Sequence, residues 1–175
     1  LDRLDNVDFP RDGWAGGAEI YSSSTDLGAE ATYNKWLAAG NTTHSFGENT
    51  FRLRAVAGGR LGSDPLPGYD QFQWGGFLRQ SGYNTGQLIN GEFAFGQLIY
   101  YRRIMRGSIL DGAYSGLSLE AGRYKKPLVP GNPSGELLSA AIFVSADSPL
   151  GPAYLGYGWS EDGNKTLYFF LGRPF

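Results

Sequence analysis

The sequence predicts an all-β chain whose strands form the wall of a transmembrane antiparallel barrel, and three observations carry that expectation. The 175 residues include 27 Gly, 11 Phe, 11 Tyr and 4 Trp but a single Met, a composition suited to short strands and tight turns rather than packed helices. Polarity alternates with a period of two in segments bounded by turn-forming residues. No apolar run approaches the roughly 20 residues of a membrane-spanning helix, whereas a barrel strand needs only about 9–11 residues and alternates in character.

Eight strands are expected, at 14–25, 30–42, 49–60, 91–104, 112–125, 136–146, 151–161 and 165–175. Asp26-Leu27-Gly28 turns the chain after the first, and Phe46-Gly47 separates the second from the third. Gly58-Gly59-Arg60-Leu61-Gly62 ends the third; no helix follows it, so it is not a nucleotide-binding loop. In the fifth segment Ala113, Leu117, Leu119 and Ala121 alternate with Tyr114, Gly116, Ser118, Glu120 and Gly122, which turns Glu120 away from the apolar face. Pro130-Gly131-Asn132-Pro133, Ser148-Pro149-Leu150-Gly151 and Asp162-Gly163-Asn164 punctuate the remainder. The last segment is the clearest. Leu167, Phe169, Leu171 and Phe175 share one parity and would meet lipid, with Arg173 the polar interruption; Thr166, Tyr168, Phe170 and Gly172 form a mixed opposite face. Trp14, Trp36, Tyr154, Tyr157 and Trp159 fit interfacial girdles, with soluble-core aromatics the alternative.

Residues 61–90 break the regular spacing. They are too aromatic for a solvated linker, holding Tyr69, Phe72, Trp74, Phe77 and Tyr83. We read them as a packed loop folded into the barrel, the alternative being an extra strand at 71–78.

Several chemistries are excluded. With 15 basic against 17 acidic residues the chain gives no reason to expect a nucleic-acid partner, and without cysteine it builds neither a disulfide nor a thiolate metal site. His44, the single histidine, falls in the turn-like Asn41-Thr42-Thr43-His44-Ser45 and is expected in a surface loop. Asp5, Asp8 and Asp12 lack the ligand spacing of a calcium loop and are read as a solvated turn, so no metal or cofactor is expected. No Gly-x-Ser-x-Gly nucleophile elbow occurs, and Asp111-Gly112-Ala113 is read as a turn into a strand, so the chain is expected not to be an enzyme. Leu1-Asp2-Arg3-Leu4-Asp5 carries no basic region followed by an apolar core, so any export signal is expected to have been removed or to lie upstream.

The run Leu66-Pro67-Gly68-Tyr69-Asp70-Gln71-Phe72-Gln73-Trp74-Gly75-Gly76, followed by Leu78-Arg79-Gln80-Ser81-Gly82-Tyr83, resembles the sixth extracellular loop of the BamA-type outer-membrane barrel superfamily, the bacterial surface antigen domain. In loop motif it is most similar to the barrel domain of bacterial patatin-like proteins, although Gln80-Ser81 separates Arg79 from Gly82-Tyr83 where the family has a contiguous Arg-Gly-Phe-like tip. Tyr100-Tyr101-Arg102-Arg103, Phe9-Pro10-Arg11-Asp12-Gly13, Gly151-Pro152-Ala153-Tyr154-Leu155 and the terminal Phe175 agree in order along the chain. The resemblance implies the last eight strands of a sixteen-stranded barrel in a bacterial outer membrane. It implies a lumen loop presenting Arg79, Gly82 and Tyr83 with Gly75 and Gly76, and a loop-wall partner at Glu120 and Gly122, Glu120 standing where Asp is commoner. It also implies a C-terminal assembly signal at Phe169, Leu171 and Phe175. An arginine held inside a barrel needs compensation, and a carboxylate suits a guanidinium, so an Arg79–Glu120 pair is expected.

An eight-stranded barrel is filled by its own side chains and has no space for such a loop, while an open sheet in lipid leaves its edges unpaired. A homodimer closing sixteen strands resolves the conflict. The superfamily resemblance implies a scaffold for insertion or translocation of polypeptides, with lipid and unfolded client chains as partners. The alternatives are a passive anchor or small-solute pore and, outside the membrane, a soluble β-sandwich or lipocalin-like binder.

Overall fold

The computed structural model describes residues 1–6, 9–105, 112–147 and 151–172. Phe175, Arg173, Asp8, Asp111 and the turn residues Ser148, Pro149 and Leu150 lie outside the described residues.

The chain is all-β, without an α-helix among the described residues. Its strands are β1 Gly13–Ser23, β2 Tyr33–Phe46, β3 Asn49–Leu61, β4 Phe72–Trp74, β5 Leu88–Met105, β6 Gly112–Pro127, β7 Gly135–Asp147, β8 Ala153–Ser160 and β9 Lys165–Leu171. All neighbours pair antiparallel in one open sheet of order β1-β2-β3-β5-β6-β7-β8-β9, with β4 attached to the start of β5. The expected long connection therefore carries a strand of its own, three residues long, paired Phe72 to Asn90 and Trp74 to Leu88. A further expectation is corrected. β2 runs on to Phe46, so His44 sits in a strand rather than a loop, where its Nδ1 meets Asp12 Oδ1 at 2.7 Å. Asn41, Thr42 and Thr43 resemble a turn in composition, but their backbone is paired on both sides, with β1 and with β3, and continues the strand.

Two free edges remain. Residues 1–5 fold back on the start of β1, through Arg3 N–H to the Trp14 carbonyl at 2.9 Å and Gly16 N–H to the Leu1 carbonyl at 2.9 Å. Among the described residues no strand pairs with the outer edge of residues 17–23 or with the far side of β9.

The two faces of the sheet differ in character. Antiparallel register carries aliphatic and aromatic rows across one face: Tyr100, Leu117, Ile142, Tyr157 and Leu167 stand side by side on five successive strands, as do Leu98, Leu119, Ala140 and Trp159 on four. Much of this face is solvent-exposed in the isolated chain, reaching 71% at Leu167 and 74% at Phe169. The opposite face is buried and mixed, with Gln97, Ser118, Glu120, Ser139 and Ser160 among Phe93, Phe95, Tyr101, Tyr124 and Tyr168. Tyr154 belongs to this buried face, not to an interfacial girdle, because its parity in β8 is opposite to that of Tyr157 and Trp159.

What covers the buried face is the loop. Gln97 of β5 and Tyr168 of β9 both hydrogen-bond it, yet on a flat sheet they would be four strand spacings, about 19 Å, apart. The sheet therefore curls around residues 75–83. From the other end Phe9 enters the same core, stacked on Tyr114 with ring centroids 4.2 Å apart, and the Tyr101 hydroxyl donates to the Pro10 carbonyl.

Candidate functional site

The site is the seat of the loop on the concave wall. Phe77, Leu78, Gln80, Ser81 and Tyr83 are among the most deeply buried residues of the chain, unusual for a connection, since irregular backbone must find partners for every N–H and C=O it buries. Three wall features meet that requirement.

The first is Glu120, buried on the inner face of β6. Its Oε2 accepts from the Ser81 amide at 2.5 Å, and its Oε1 from the hydroxyls of Ser81 at 2.8 Å and Ser118 at 2.7 Å and from Gln97 Nε2 at 3.3 Å. Hydrogen bonds to a carboxylate are about twice as strong as neutral ones, so this is a firm attachment point. The second is a polar clamp on Gln80. Its Nε2 donates to the Leu137 carbonyl at 3.1 Å and Ser139 Oγ at 2.8 Å, and its Oε1 accepts from the Tyr124 hydroxyl at 2.9 Å. The third is Tyr168, whose hydroxyl accepts from Gly82 N–H at 3.0 Å and donates to the Tyr83 carbonyl at 2.6 Å, while Thr166 Oγ1 donates to the Gly82 carbonyl at 2.8 Å.

These bonds hold a backbone that would not adopt its shape alone. Leu78 and Gln80 sit at φ of 56° and 76°, in the left-handed region that costs a residue with a side chain about 1–3 kcal/mol. Both carry wall contacts, since the Leu78 carbonyl accepts from Gln97 Nε2 at 3.0 Å and Gln80 is clamped as described. The wall is also notched to admit the loop. A Cβ on Gly156 would lie 2.4 Å from the Phe77 ring, and one on Gly158 2.6 Å from the Ser81 Cβ and 2.9 Å from the Gly82 nitrogen.

The two ends of the loop are fastened by carboxylates. Asp70 accepts from the Tyr33 hydroxyl at 2.6 Å and Lys35 Nζ at 2.6 Å. Burial raises its carboxyl, but hydrogen bonds from Lys35 and Tyr33 and the Lys35 charge outweigh burial and hold it below the usual carboxylate range. At the tip the Tyr83 hydroxyl donates to Asp162 Oδ2 and the Ser160 hydroxyl to Asp162 Oδ1. Burial again opposes ionisation of Asp162, and hydrogen bonds from Ser160, Tyr83 and Asn164 overcome it; burial and then Asp162 push the Tyr83 hydroxyl up.

The loop-wall contact at Glu120 thus falls on Ser81, and the expected Arg79–Glu120 pair is corrected. Arg79 stacks its guanidinium 4.3 Å from the centroid of Trp74 and donates weakly to the Gln73 carbonyl at 3.5 Å; no ion pair joins it to Glu120 among the described residues. The reason is the turn through Leu78 and Gln80, which directs Ser81 at the wall and leaves Arg79 on the aromatic flank.

Of the other motif residues, Gly82 and Tyr83 lie in the seat, and a Cβ on Gly82 would meet the Ser160 nitrogen at 2.8 Å. Gly75 and Gly76, at φ of 103° and 113°, form the bend leading into it. Gly122 faces Gln80, whose Oε1 would lie 2.5 Å from an added Cβ. Leu171 and Phe169 are on the exposed face of β9. Sequence reasoning missed Gln80, Ser81, Gln97, Ser139 and Tyr168. Inner-face parity marked the wall residues, but nothing in the sequence marks which polar groups of a loop turn inward.

No protein-family model matches the chain, and no curated protein sequence does. No group of acidic or histidine side chains among the described residues is arranged to hold a metal ion.

Proposed function

We propose that this chain is a section of outer-membrane barrel wall of the BamA type, acting without catalysis as a scaffold for insertion or translocation of polypeptides in a bacterial outer membrane. The observation that carries the reading is the inverted polarity of the sheet. Rows of Leu, Ile, Val and Phe lie on the uncovered face, while the covered one mixes aromatic side chains with a carboxylate, amides and hydroxyls. In water that arrangement wastes its apolar surface; against acyl chains it is the stable one. β6 is 16 residues long, ample for a tilted span that needs about 9–11.

The braced loop supports a scaffold role, because a wall tied to its own plug at Glu120, Gln80 and Tyr168 stays curved while its edges remain open. Closure is supplied by a second copy. The eight strands on the main path of the sheet alternate in direction, so β9 of one protomer runs antiparallel to β1 of the next, and two chains complete sixteen strands with both seams alike. The test is mass in detergent together with reconstitution. The proposal expects a dimer and faster folding of a client barrel in vesicles containing the protein; a monomer with no effect on client folding overturns it.

A passive membrane anchor is the second reading, favoured over a pore by the density of the plug. The recess among Phe9, Arg52, Leu78, Ile99 and Tyr154 is small, about 20 Å³, in keeping with a segment packed closely on the wall. Steady conductance in bilayers with no effect on clients would favour the pore instead.

A further inference from the structure

The convex face carries a second feature that the scaffold reading does not use, a basic rim at the loop end of β2, β3, β5 and β6. Arg123 and Lys125 project outward from β6, exposed, opposite Ala94 and Glu92 of β5. The Glu92 carboxylate already accepts Lys126 Nζ at 2.6 Å and has Arg60 Nε at 3.6 Å, so four cations face two carboxylates here, the other being Glu136 opposite Arg123. The cluster as a whole carries more cations than carboxylates, and Arg123 and Lys125 are among its exposed members. Together with Trp36, Gly59, Arg60 and Glu92 they line a recess of about 400 Å³.

Below this rim the same face is almost without side chains. Ala38, Ala55, Ala57, Ala94, Gly96 and Ala121 come together across four strands and floor a shallow apolar channel of about 560 Å³, with Arg123 at its upper end. The two recesses are continuous, sharing Ala57, Ala94 and Arg123. Elsewhere the convex face is built of large apolar side chains, so the channel is a local absence of bulk with a cationic head.

We propose that this rim and channel dock one phosphate-bearing anionic lipid, its phosphate on Arg123 and Lys125 and an acyl chain along the alanine and glycine floor. The inference rests on the membrane reading above. Its argument is complementarity: the positive charge stands at the level of Trp36, an amphipathic ring suited to the headgroup region, and the floor lies on the hydrocarbon side of it. Guanidinium and ammonium groups recognise phosphate by charge-assisted hydrogen bonds.

Trp36 serves as the reporter. In a Trp14→Phe, Trp159→Phe background only Trp36 and Trp74 remain, and Trp74 is buried under the loop. The protein is placed in bilayer nanodiscs containing brominated phosphatidylcholine or brominated phosphatidylglycerol at matched mole fraction, and quenching of Trp36 is measured with and without Arg123→Gln, Lys125→Gln. The expected result is a preference for phosphatidylglycerol on the order of tenfold in relative association, reduced to near equality in the double variant. Equal quenching by both lipids in the unsubstituted rim overturns the docking site and leaves the membrane reading standing. A preference that survives the double variant overturns its assignment to these residues. Absence of quenching by either lipid places Trp36 outside the bilayer, and then the membrane reading fails first.

Discussion

Leu119→Arg separates a lipid-facing wall from a soluble sheet. Leu119 lies at the middle of β6, which runs from Gly112 to Pro127, and is 56% exposed beside Leu98 and Ala140 on its neighbouring strands. If water bathed this face, the arginine would extend into solvent and stability would change by no more than about 0.5 kcal/mol, as for most surface substitutions. If acyl chains bathe it, the position is near the bilayer midplane, where a lipid-facing arginine on a barrel costs about 2–4 kcal/mol. A midplane site offers the guanidinium no short path to either headgroup layer, so the upper part of that range is expected. The folding equilibrium in phospholipid vesicles, followed by tryptophan fluorescence across a urea series, measures the difference directly. Ser118, the next residue, is fully buried on the other face and hydrogen-bonded to Glu120, so the effect must be specific to one parity in kind as well as size. A Leu119→Arg protein within about 0.5 kcal/mol of the parent would refute the membrane assignment of this face.

Glu120→Ala removes the acceptor of the Ser81 amide and hydroxyl and should cost about 1–3 kcal/mol per donor left without a partner, with increased protease cleavage near residues 78–83 as the readout. Arg79→Ala should leave that cleavage pattern nearly unchanged, since Arg79 packs on Trp74 and not on Glu120; loss of the seat on Arg79→Ala would contradict the geometry. Gly158→Ala should overpack the seat by about 1–3 kcal/mol and loosen the loop while the strand pairing of β7, β8 and β9 persists in amide exchange. Acid should release the loop ends. Asp70 and Asp162 are held below the ordinary carboxylate range when folded, so the stability they add is fully present above about pH 4 and lost as pH falls through their depressed folded values. Amide exchange near residues 68–72 should therefore rise below about pH 4, and Asp70→Asn should remove that dependence; a profile unchanged by the substitution would show that another group is responsible.

Eight of the nine strands were legible in the sequence because period-two alternation is a local property, while β4, Phe72–Trp74, lies within the segment expected to be a loop. Leu117, Leu119 and Ala121 against Ser118, Glu120 and Gly122 assign each side chain to a face without reference to any partner strand. The same parity placed Glu120 on the inner wall. It did not say which face would be covered, because alternation is symmetric: a soluble sheet with Leu inside and a membrane wall with Leu outside share one pattern. Only the three-dimensional structure decides that, by folding residues 75–83 onto the polar side. The loop was recognisable as an exception by its aromatic content, but the partner of Glu120 was not. Whether Arg79 or Ser81 turns to the wall depends on the left-handed backbone at Leu78 and Gln80, and such φ values, in residues that bear side chains, are imposed by the surrounding tertiary contacts and leave no mark in the amino-acid order.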